Sequence, residues 1–223
     1  HGNYSLSSQS GSSDMLESFG YEFTNDEYIL KNQLEKANIC FLHAPKFHPA
    51  MKAVGPTRKA LGLKTFFNIL GPLVNPSSPK NHFLGTFNLE VARLYHYILQ
   101  EENSNYGIIY ALDGYDEISL TSAFKLFTKT SEKMISPESL GMKRIAQEAI
   151  FGGSTVEDAA KIFMNVIQGK GTEAQNNVVC ANAGLAIATT NHIDHKKGFE
   201  LAKESLLSGK GLKALQTIQE LSK

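Results

Sequence analysis

The feature that most constrains the fold is an uninterrupted apolar run at residues 107–112, which reads Gly-Ile-Ile-Tyr-Ala-Leu. A strand of this composition must be covered on both faces, as in the interior of a parallel sheet. A strand-like segment at residues 82–87 precedes it, followed by a helical segment at residues 89–99 with Asn88 as a plausible N-cap. This strand–helix–strand order predicts an α/β fold with a central, mainly parallel sheet flanked by helices.

Further elements are predicted on both sides of this unit. Residues 122–127 and 132–135 favour two more short strands, and the last third of the chain favours helices, one of them opened by Thr155. The Ala-rich residues 174–189 are apolar on most sides and predict a buried helix.

The first third of the chain carries weaker signals. Thr24 with Glu27 has the capping-box spacing that opens a helix. The apolar residues 39–42 predict a buried strand, and the two prolines of residues 43–49 predict a loop. A helix is then expected at residues 50–61.

Composition excludes several classes of protein. Lys plus Arg and Asp plus Glu both number 22, a balance that argues against a nucleic-acid-binding protein. No run of 18 apolar residues or signal-peptide pattern occurs, so no membrane association is expected. Cys40 and Cys180 lie far apart in apolar surroundings, which favours two reduced, buried thiols in a cytoplasmic protein over a disulfide or a metal site. We therefore expect a cytoplasmic protein that binds neither nucleic acid nor membranes.

An acidic segment, residues 113–119, directly follows the apolar strand and reads Asp-Gly-Tyr-Asp-Glu-Ile-Ser. In α/β sheets, ligands bind beyond the carboxyl ends of the strands. The adjacent carboxylates of Asp116 and Glu117 suit Mg²⁺, which takes one or two protein carboxylates plus substrate oxygens. The alternative is an ordinary polar turn, since Asp and Gly are common turn residues.

Other polar groups allow a functional and a purely structural interpretation. The Gly- and Ser-rich residues 1–13 could bind an anion through backbone N–H groups, or form a flexible linker. Arg58 could bind a carboxylate or phosphate, or lie on a solvated helix face. His43 and His48 are not favoured as a metal pair, because prolines surround them and no third ligand is near.

Taken in order, these motifs resemble the anthranilate phosphoribosyltransferase family, and the resemblance runs from residue 1 nearly to the end of the chain. The matching strings are His1-Gly2-Asn3, Ser10-Gly11-Ser12-Ser13-Asp14, Ala44-Pro45-x-x-His48-Pro49-Ala50-Met51, Arg58-Lys59-x-Leu61-Gly62, Phe67-Asn68-Ile69-Leu70-Gly71-Pro72-Leu73-x-Asn75-Pro76 and Gly114-x-Asp116-Glu117-Ile118-Ser119. The Phe67–Pro76 and Asp116–Ser119 strings are the specific ones. Pyrimidine nucleoside phosphorylases share the architecture but do not usually carry the former.

The resemblance implies transfer of 5-phosphoribose from phosphoribosyl diphosphate to the amino group of anthranilate, with release of diphosphate, in tryptophan biosynthesis. It also implies a role for each matching residue. Asp116 and Glu117 would hold Mg²⁺ on the diphosphate, and Ser7 would help to bind phosphate. Arg58 would face the anthranilate carboxylate. The anthranilate pocket would be lined by His1, Gly2, Asn3, Ala44, Pro45, His48 and Pro72. No residue is assigned as a general acid or base.

Two departures from the family pattern shape the remaining expectations. Tyr4 stands where the family usually has Arg. The family also has an N-terminal helical segment of roughly a hundred residues, with a Gly-rich diphosphate loop, that nothing in this chain matches. We therefore expect one truncated α/β catalytic domain over residues 1–223, with about 43–75 belonging to a small helical lobe.

The fragment alone is expected to be poorly active, and the full-length protein to be a homodimer. Two alternatives stay open on the sequence. One is a pyrimidine nucleoside phosphorylase-like enzyme, and the other is a non-catalytic binding module on the same fold.

Overall fold

A computed structural model describes residues 1–4, 11–49 and 67–223. The helix expected at residues 50–61 lies outside these ranges. The chain forms two compact units. The first consists of His1–Ser78, Gly152–Met164 and Lys210–Lys223, and the second of Pro79–Phe151 and Asn165–Gly209. The assignment of about 43–75 to a small helical lobe stays a prediction.

Helices and strands follow one another along the chain in a mixed order. They are helices α1 (Ser12–Ser18), α2 (Glu27–Ala37), α3 (Ala44–Phe47) and α4 (Phe67–Leu70), strand β1 (Asn81–Gly85), helix α5 (Leu89–Gln100), strands β2 (Asn105–Ala111), β3 (Phe124–Thr128) and β4 (Glu132–Ile135), and helices α6 (Val156–Ile167), α7 (Glu173–Asn191), α8 (His195–Leu207) and α9 (Lys210–Leu221). Across the described ranges, no helix combines the length and apolar character that crossing a membrane requires.

The described elements of the first unit are helices. Contacts between α2 and α9 join its N-terminal segment to the last helix of the chain. Leu30 of α2 and Ile218 of α9 are both buried. In addition, the side chain of Gln219 in α9 donates a hydrogen bond to the Phe19 carbonyl at 2.7 Å. The end of the chain is thereby fastened to the segment that follows α1.

Helix α2 begins later than the capping-box pattern predicts. Its N-cap is Asp26, whose carboxylate accepts the N–H groups of Tyr28 and Ile29 at 2.9 and 3.1 Å. The Thr24 hydroxyl accepts the N–H of Asp26 instead. Asp and Thr are both good caps, and in this helix the Asp reaches two free donors of the first turn while Thr24 stabilises the approach.

The prediction of a buried strand at residues 39–42 is wrong, and so is that of a simple loop at residues 43–49. Residues 39–42, all of which the structure describes, form no strand, and an isolated parallel bridge joins Gly2 to His43 just after them. Short apolar runs do not by themselves distinguish strands from other buried segments. Helix α3 then forms because Pro45 stands in its first turn, where no intrahelical N–H is needed.

The second unit confirms the α/β class, with a mixed sheet in the order β1-β2-β3-β4. Strands β1 and β2 are parallel, from the pair Asn81–Asn105 to the pair Gly85–Ile109. Strands β2 and β3 are antiparallel, as are β3 and β4. The expected parallel pairing therefore holds only where helix α5 makes a crossover, because the connections after β2 and β3 contain no helix to return the chain to the same end.

Strand β2 is the interior strand that the apolar run predicts. Tyr106, Ile108, Ile109 and Ala111 are each at most 1 % exposed, so both of its faces are covered. The core continues into the loop after β2 and onto α7, where Leu185 packs with the same cluster. This core is what fixes the position of the acidic segment.

Candidate active site

The acidic loop comprises residues 112–123 and connects β2 to β3. Its turn is closed by the Gly114 N–H on the Ala111 carbonyl at 3.1 Å and the Ala111 N–H on the Tyr115 carbonyl at 3.2 Å. Gly114 has φ of +91°, a conformation that favours glycine. Because β1 and β2 are parallel, the loop begins at the edge of the sheet where the carboxyl ends of both strands lie.

Asp113, the first carboxylate of the acidic loop, serves the loop itself. Its Oδ2 accepts hydrogen bonds from the hydroxyls of Thr121 and Ser119. The Ser119 hydroxyl also accepts the N–H of Thr121 at 3.2 Å. These bonds tie the start of the loop to its end, so the two carboxylates at its tip are the candidates for ligand binding.

Asp116 and Glu117 are exposed residues at this tip. The pKa of the Glu117 carboxyl is raised, mainly because neighbouring protein removes part of its water and further because the Asp116 charge is adjacent. Two crowded carboxylates of this kind are stabilised by a divalent cation. No cluster of three His, Cys, Asp or Glu side chains suited to a metal occurs among the described residues. The pair fits Mg²⁺, which keeps water and substrate oxygens as its other ligands.

Gly85, at the carboxyl end of β1, lets the acidic loop approach the sheet. A Cβ at this position would lie 1.6 Å from the Asp116 carbonyl oxygen. The next residue, Thr86, is buried and its N–H and hydroxyl both donate to the Ile109 carbonyl of β2, at 2.9 and 3.0 Å. Sequence reasoning missed Gly85, although a glycine at a strand end is a signal of close backbone approach.

The predicted anthranilate-binding residues belong to the first unit, and hydrogen bonds bring several of them together. The Gly2 N–H donates to the Leu42 carbonyl at 3.2 Å, and the Ala44 N–H donates to the Gly2 carbonyl at 2.7 Å. The imidazoles of His1 and His48 meet with their Nε2 atoms 3.2 Å apart. The start of the chain thus runs beside the first residues of α3.

Other predicted residues are placed less closely. Asn3 uses its side-chain oxygen to accept the N–H of Tyr4 at 2.8 Å. Pro45 lines an open cavity of about 570 Å³ in the first unit, together with Tyr4, Phe23 and His43. Pro72 lies in a 3₁₀ turn at Gly71–Leu73. Ser7 and Arg58 lie outside the described residues.

His43 is a residue whose importance the sequence did not reveal. It is 4 % exposed, its ring stacks on Phe23 with centroids 4.2 Å apart, and its Nδ1 lies 3.4 Å from the Ser13 hydroxyl. Burial lowers its pKa, which favours the neutral imidazole in the folded protein. The ring supports the segment on which Ala44 and Pro45 lie.

Tyr4, which occupies the family's usual Arg position, binds an acidic partner. Its hydroxyl donates to the Glu17 carboxylate at 2.5 Å, and this bond is the main cause that raises the pKa of Tyr4 to about 12. Its ring meets His43 edge to face, with centroids 4.7 Å apart. At this position the chain therefore presents a neutral donor engaged with a carboxylate rather than a cation.

Comparisons with known proteins identify the family. The model of the glycosyl transferase family a/b domain matches residues 1–212. The anthranilate phosphoribosyltransferase of Flavobacterium johnsoniae is 59% identical over 222 residues, which cover 100% of this chain and 67% of that protein. That of Bacteroides fragilis is 49% identical over 226 residues, with the same coverage.

Solved structures give the same result. The anthranilate phosphoribosyltransferase of Thermus thermophilus matches with a TM-score of 0.90 and 29% identity, over 99% of this chain and 67% of that one. The Saccharomyces cerevisiae enzyme in complex with PRPP and Mg matches with a TM-score of 0.89 and 26% identity, over 100% of this chain and 64% of that one. The chain thus spans about two thirds of the length of its relatives. It belongs to the anthranilate phosphoribosyltransferase family of glycosyltransferase-type enzymes.

Proposed function

We propose that this protein transfers the 5-phosphoribosyl group of phosphoribosyl diphosphate to the amino group of anthranilate and releases diphosphate, a step of tryptophan biosynthesis. The observation that carries the proposal is the pair Asp116 and Glu117, held at the edge of the sheet where the parallel strands β1 and β2 end. The names of the relatives, and the PRPP and Mg bound to the yeast enzyme, support the same reaction.

In this proposal Asp116 and Glu117 hold Mg²⁺ against the diphosphate of the donor. The bound ion would supply electrostatic stabilisation of the negative charge that develops on the departing diphosphate. The task of the acidic loop is to keep both carboxylates in one place, and the bonds of Asp113 to Ser119 and Thr121 serve it. Orientation of this kind can account for a large part of a rate enhancement.

The acceptor side of the reaction is assigned to the first unit. His1, Gly2 and Asn3 would line the anthranilate pocket, with Ala44, Pro45, His48 and Pro72 as its wall. Arg58 would face the carboxylate, and Ser7 would help to bind phosphate. The hydrogen bonds that Gly2 shares with Leu42 and Ala44 support this grouping. The amine of anthranilate is weakly basic and unprotonated at neutral pH, so it needs no general base before attack, and the proton that the nitrogen carries once the C–N bond has formed would pass to water.

The biological setting follows from the same proposal. We place the reaction in the cytoplasm and expect the full-length protein to be a homodimer that binds neither nucleic acid nor membranes. Since the chain spans about two thirds of its relatives' length, the 223 residues alone are expected to turn over slowly. Comparing the rates of this chain and of the full-length protein tests that expectation.

The central experiment measures anthranilate consumption by fluorescence, together with diphosphate release, in the full-length protein. Replacing the acidic pair in Asp116→Asn plus Glu117→Gln is expected to lower turnover by about 100-fold or more. The control is Glu101→Gln plus Glu102→Gln, another pair of adjacent exposed carboxylates in the same unit, which is expected to leave turnover unchanged.

Three results would contradict the proposal. Wild-type turnover and Mg²⁺ dependence in the Asp116 and Glu117 double variant would refute the metal assignment. Phosphorolysis of a pyrimidine nucleoside without diphosphate release would indicate a nucleoside phosphorylase. Substrate binding without turnover by the full-length protein would indicate a binding module.

A further inference from the structure

Asn182, on helix α7, makes a paired contact with the backbone of the acidic loop. Its Oδ1 accepts the Ile118 N–H at 2.9 Å, and its Nδ2 donates to the Ile118 carbonyl at 2.8 Å. A third bond, from Nδ2 to the Val178 carbonyl at 3.0 Å, fixes the amide against its own helix. One side chain thus takes both hydrogen-bonding groups of a single loop residue.

The residue that Asn182 holds is the immediate neighbour of the acidic pair. The Ile118 N–H belongs to the peptide bond that joins it to Glu117, so the bond from Asn182 orients that peptide plane. The Ile118 side chain is 1 % exposed and belongs to the same core cluster as Ala181 and Leu185 of α7. Side chain and backbone of Ile118 are therefore both fixed by one helix.

The loop is constrained from its other sides as well. Gly85 leaves room for the Asp116 carbonyl at the end of β1. Leu120 is held at φ of +60°, which is uncommon for a residue with a branched side chain, while its side chain is buried and its carbonyl accepts the Ile145 N–H at 3.1 Å. Such a conformation persists only where the surroundings determine it strongly. Of the three residues that constrain the loop in these ways, Gly85, Leu120 and Asn182, only Asn182 does so through a polar side chain.

We propose that Asn182 is a positioning residue for the Asp116–Glu117 pair and sets the affinity of the protein for Mg²⁺–phosphoribosyl diphosphate. Without its amide, the Ile118 N–H and carbonyl lose their partners, and the Glu117–Ile118 peptide is free to rotate toward water. The two carboxylates then spend less time in the geometry that a single ion requires. This inference rests on the proposed function, since it assigns Asn182 a part in the donor site.

The test titrates Mg²⁺–phosphoribosyl diphosphate into the full-length protein by calorimetry and compares wild type with Asn182→Ala. Removing a side chain that orients metal ligands typically costs about 10-fold to 100-fold in affinity, and we expect a rise in Kd of at least about 10-fold. The KM for anthranilate is expected to stay within about 2-fold. Hydrogen exchange at the Ile118 amide, measured in parallel, is expected to become faster.

Asn176→Ala is the matched control, because Asn176 is another half-buried amide on α7 that donates to a loop carbonyl, that of Gly171 at 3.1 Å. It is expected to bind Mg²⁺–phosphoribosyl diphosphate as wild type does. If Asn182→Ala does not fold, Asn182→Gln keeps an amide one methylene longer and is expected to raise the Kd in the same direction by a smaller factor.

The inference is overturned if a folded Asn182 variant shows faster exchange at Ile118 but a Kd within about 2-fold of wild type. It is also overturned if Asn176→Ala weakens binding equally, because the effect would then come from helix stability. Failure of the proposed function looks different. In that case wild type does not bind Mg²⁺–phosphoribosyl diphosphate, or the Asp116 and Glu117 double variant binds it normally, whatever Asn182 does.

Discussion

Replacing Gly85 by alanine should displace the acidic loop without removing any of its hydrogen-bonding groups. The added Cβ would lie 1.6 Å from the carbonyl oxygen and 2.8 Å from the carbonyl carbon of Asp116. Real Cβ atoms essentially never approach other atoms within 3.0 Å, so the Asp116 carbonyl must move from 1.6 Å to at least 3.0 Å, about 1.4 Å. The obstacle is backbone, which yields less readily than the end of a side chain.

The cost of this displacement follows from what holds the loop. Ile118, two residues on, is fixed by Asn182 and by the core, so the shift is concentrated on Asp116 and Glu117. Overpacking of this kind costs about 1–3 kcal/mol in the free energy of unfolding. A displacement of about 1 Å at a group that positions substrate can lower the rate about 100-fold. A 100-fold loss corresponds to about 2.7 kcal/mol, so we expect kcat/KM for phosphoribosyl diphosphate to fall by an amount comparable to the loss in the free energy of unfolding.

Gly107→Ala supplies the comparison in the neighbouring strand. Its Cβ would meet Thr189 Oγ1 at 3.0 Å and the Phe83 ring at 3.1 and 3.3 Å, which are side-chain atoms able to give by a few tenths of an ångström. We expect it to lose less stability in urea unfolding and to keep kcat/KM within about 3-fold of wild type. Equal activity in the two variants would refute the idea that the Gly85 contact positions the acidic pair.

Two further predictions concern stability. Thr172→Ala removes the capping box of α7, in which the Thr172 hydroxyl accepts the Gln175 N–H at 3.2 Å, and should lower the free energy of unfolding by about 1 kcal/mol in urea titrations; an unchanged value would contradict it. Because burial lowers the pKa of His43, against opposing contributions from Glu17 and Asp14 and with a further lowering from Lys46, the unfolded chain binds the proton more readily. The contribution of His43 to stability should be constant above pH 6.5 and fall as the pH drops through it, so that stability falls more steeply in wild type than in His43→Asn, by at most about 1.4 kcal/mol per pH unit; equal slopes would exclude His43 as the cause.

The sequence predicted the elements whose signals are local. Strand β2 needed only its apolar run, and α5 begins where Asn88 places it, with the Asn88 side chain accepting the Val91 N–H at 2.8 Å. The parallel pairing of β1 with β2 followed from the helix between them. In each case the residues that decide the structure are neighbours in the chain.

Predictions failed where the decision depends on a partner elsewhere. Residues 39–42 have the composition of a strand, but they pair with no strand among the described residues. The Leu42 carbonyl accepts the N–H of Gly2 instead. The antiparallel return of β3 depends on the absence of a helix in the acidic loop, which the composition of that loop did not make evident. Position in the sheet is set by connections rather than by strand composition.

The residues of the candidate site likewise fall into two groups, those with a local sequence signal and those whose partner is distant in the sequence. Asp116 and Glu117 could be proposed as metal ligands from the sequence, because carboxylates that directly follow a buried strand are a local pattern. Asn182 lies 64 residues from Ile118, and its amide has no sequence mark that separates it from Asn176 on the same helix. In the proposed donor site the carboxylates would supply the charge for a metal ion, while a helix and a strand distant in the sequence would position them. Because metal affinity depends on ligand geometry as well as on charge, we expect the determinants of donor binding to extend beyond the motif by which the family is identified.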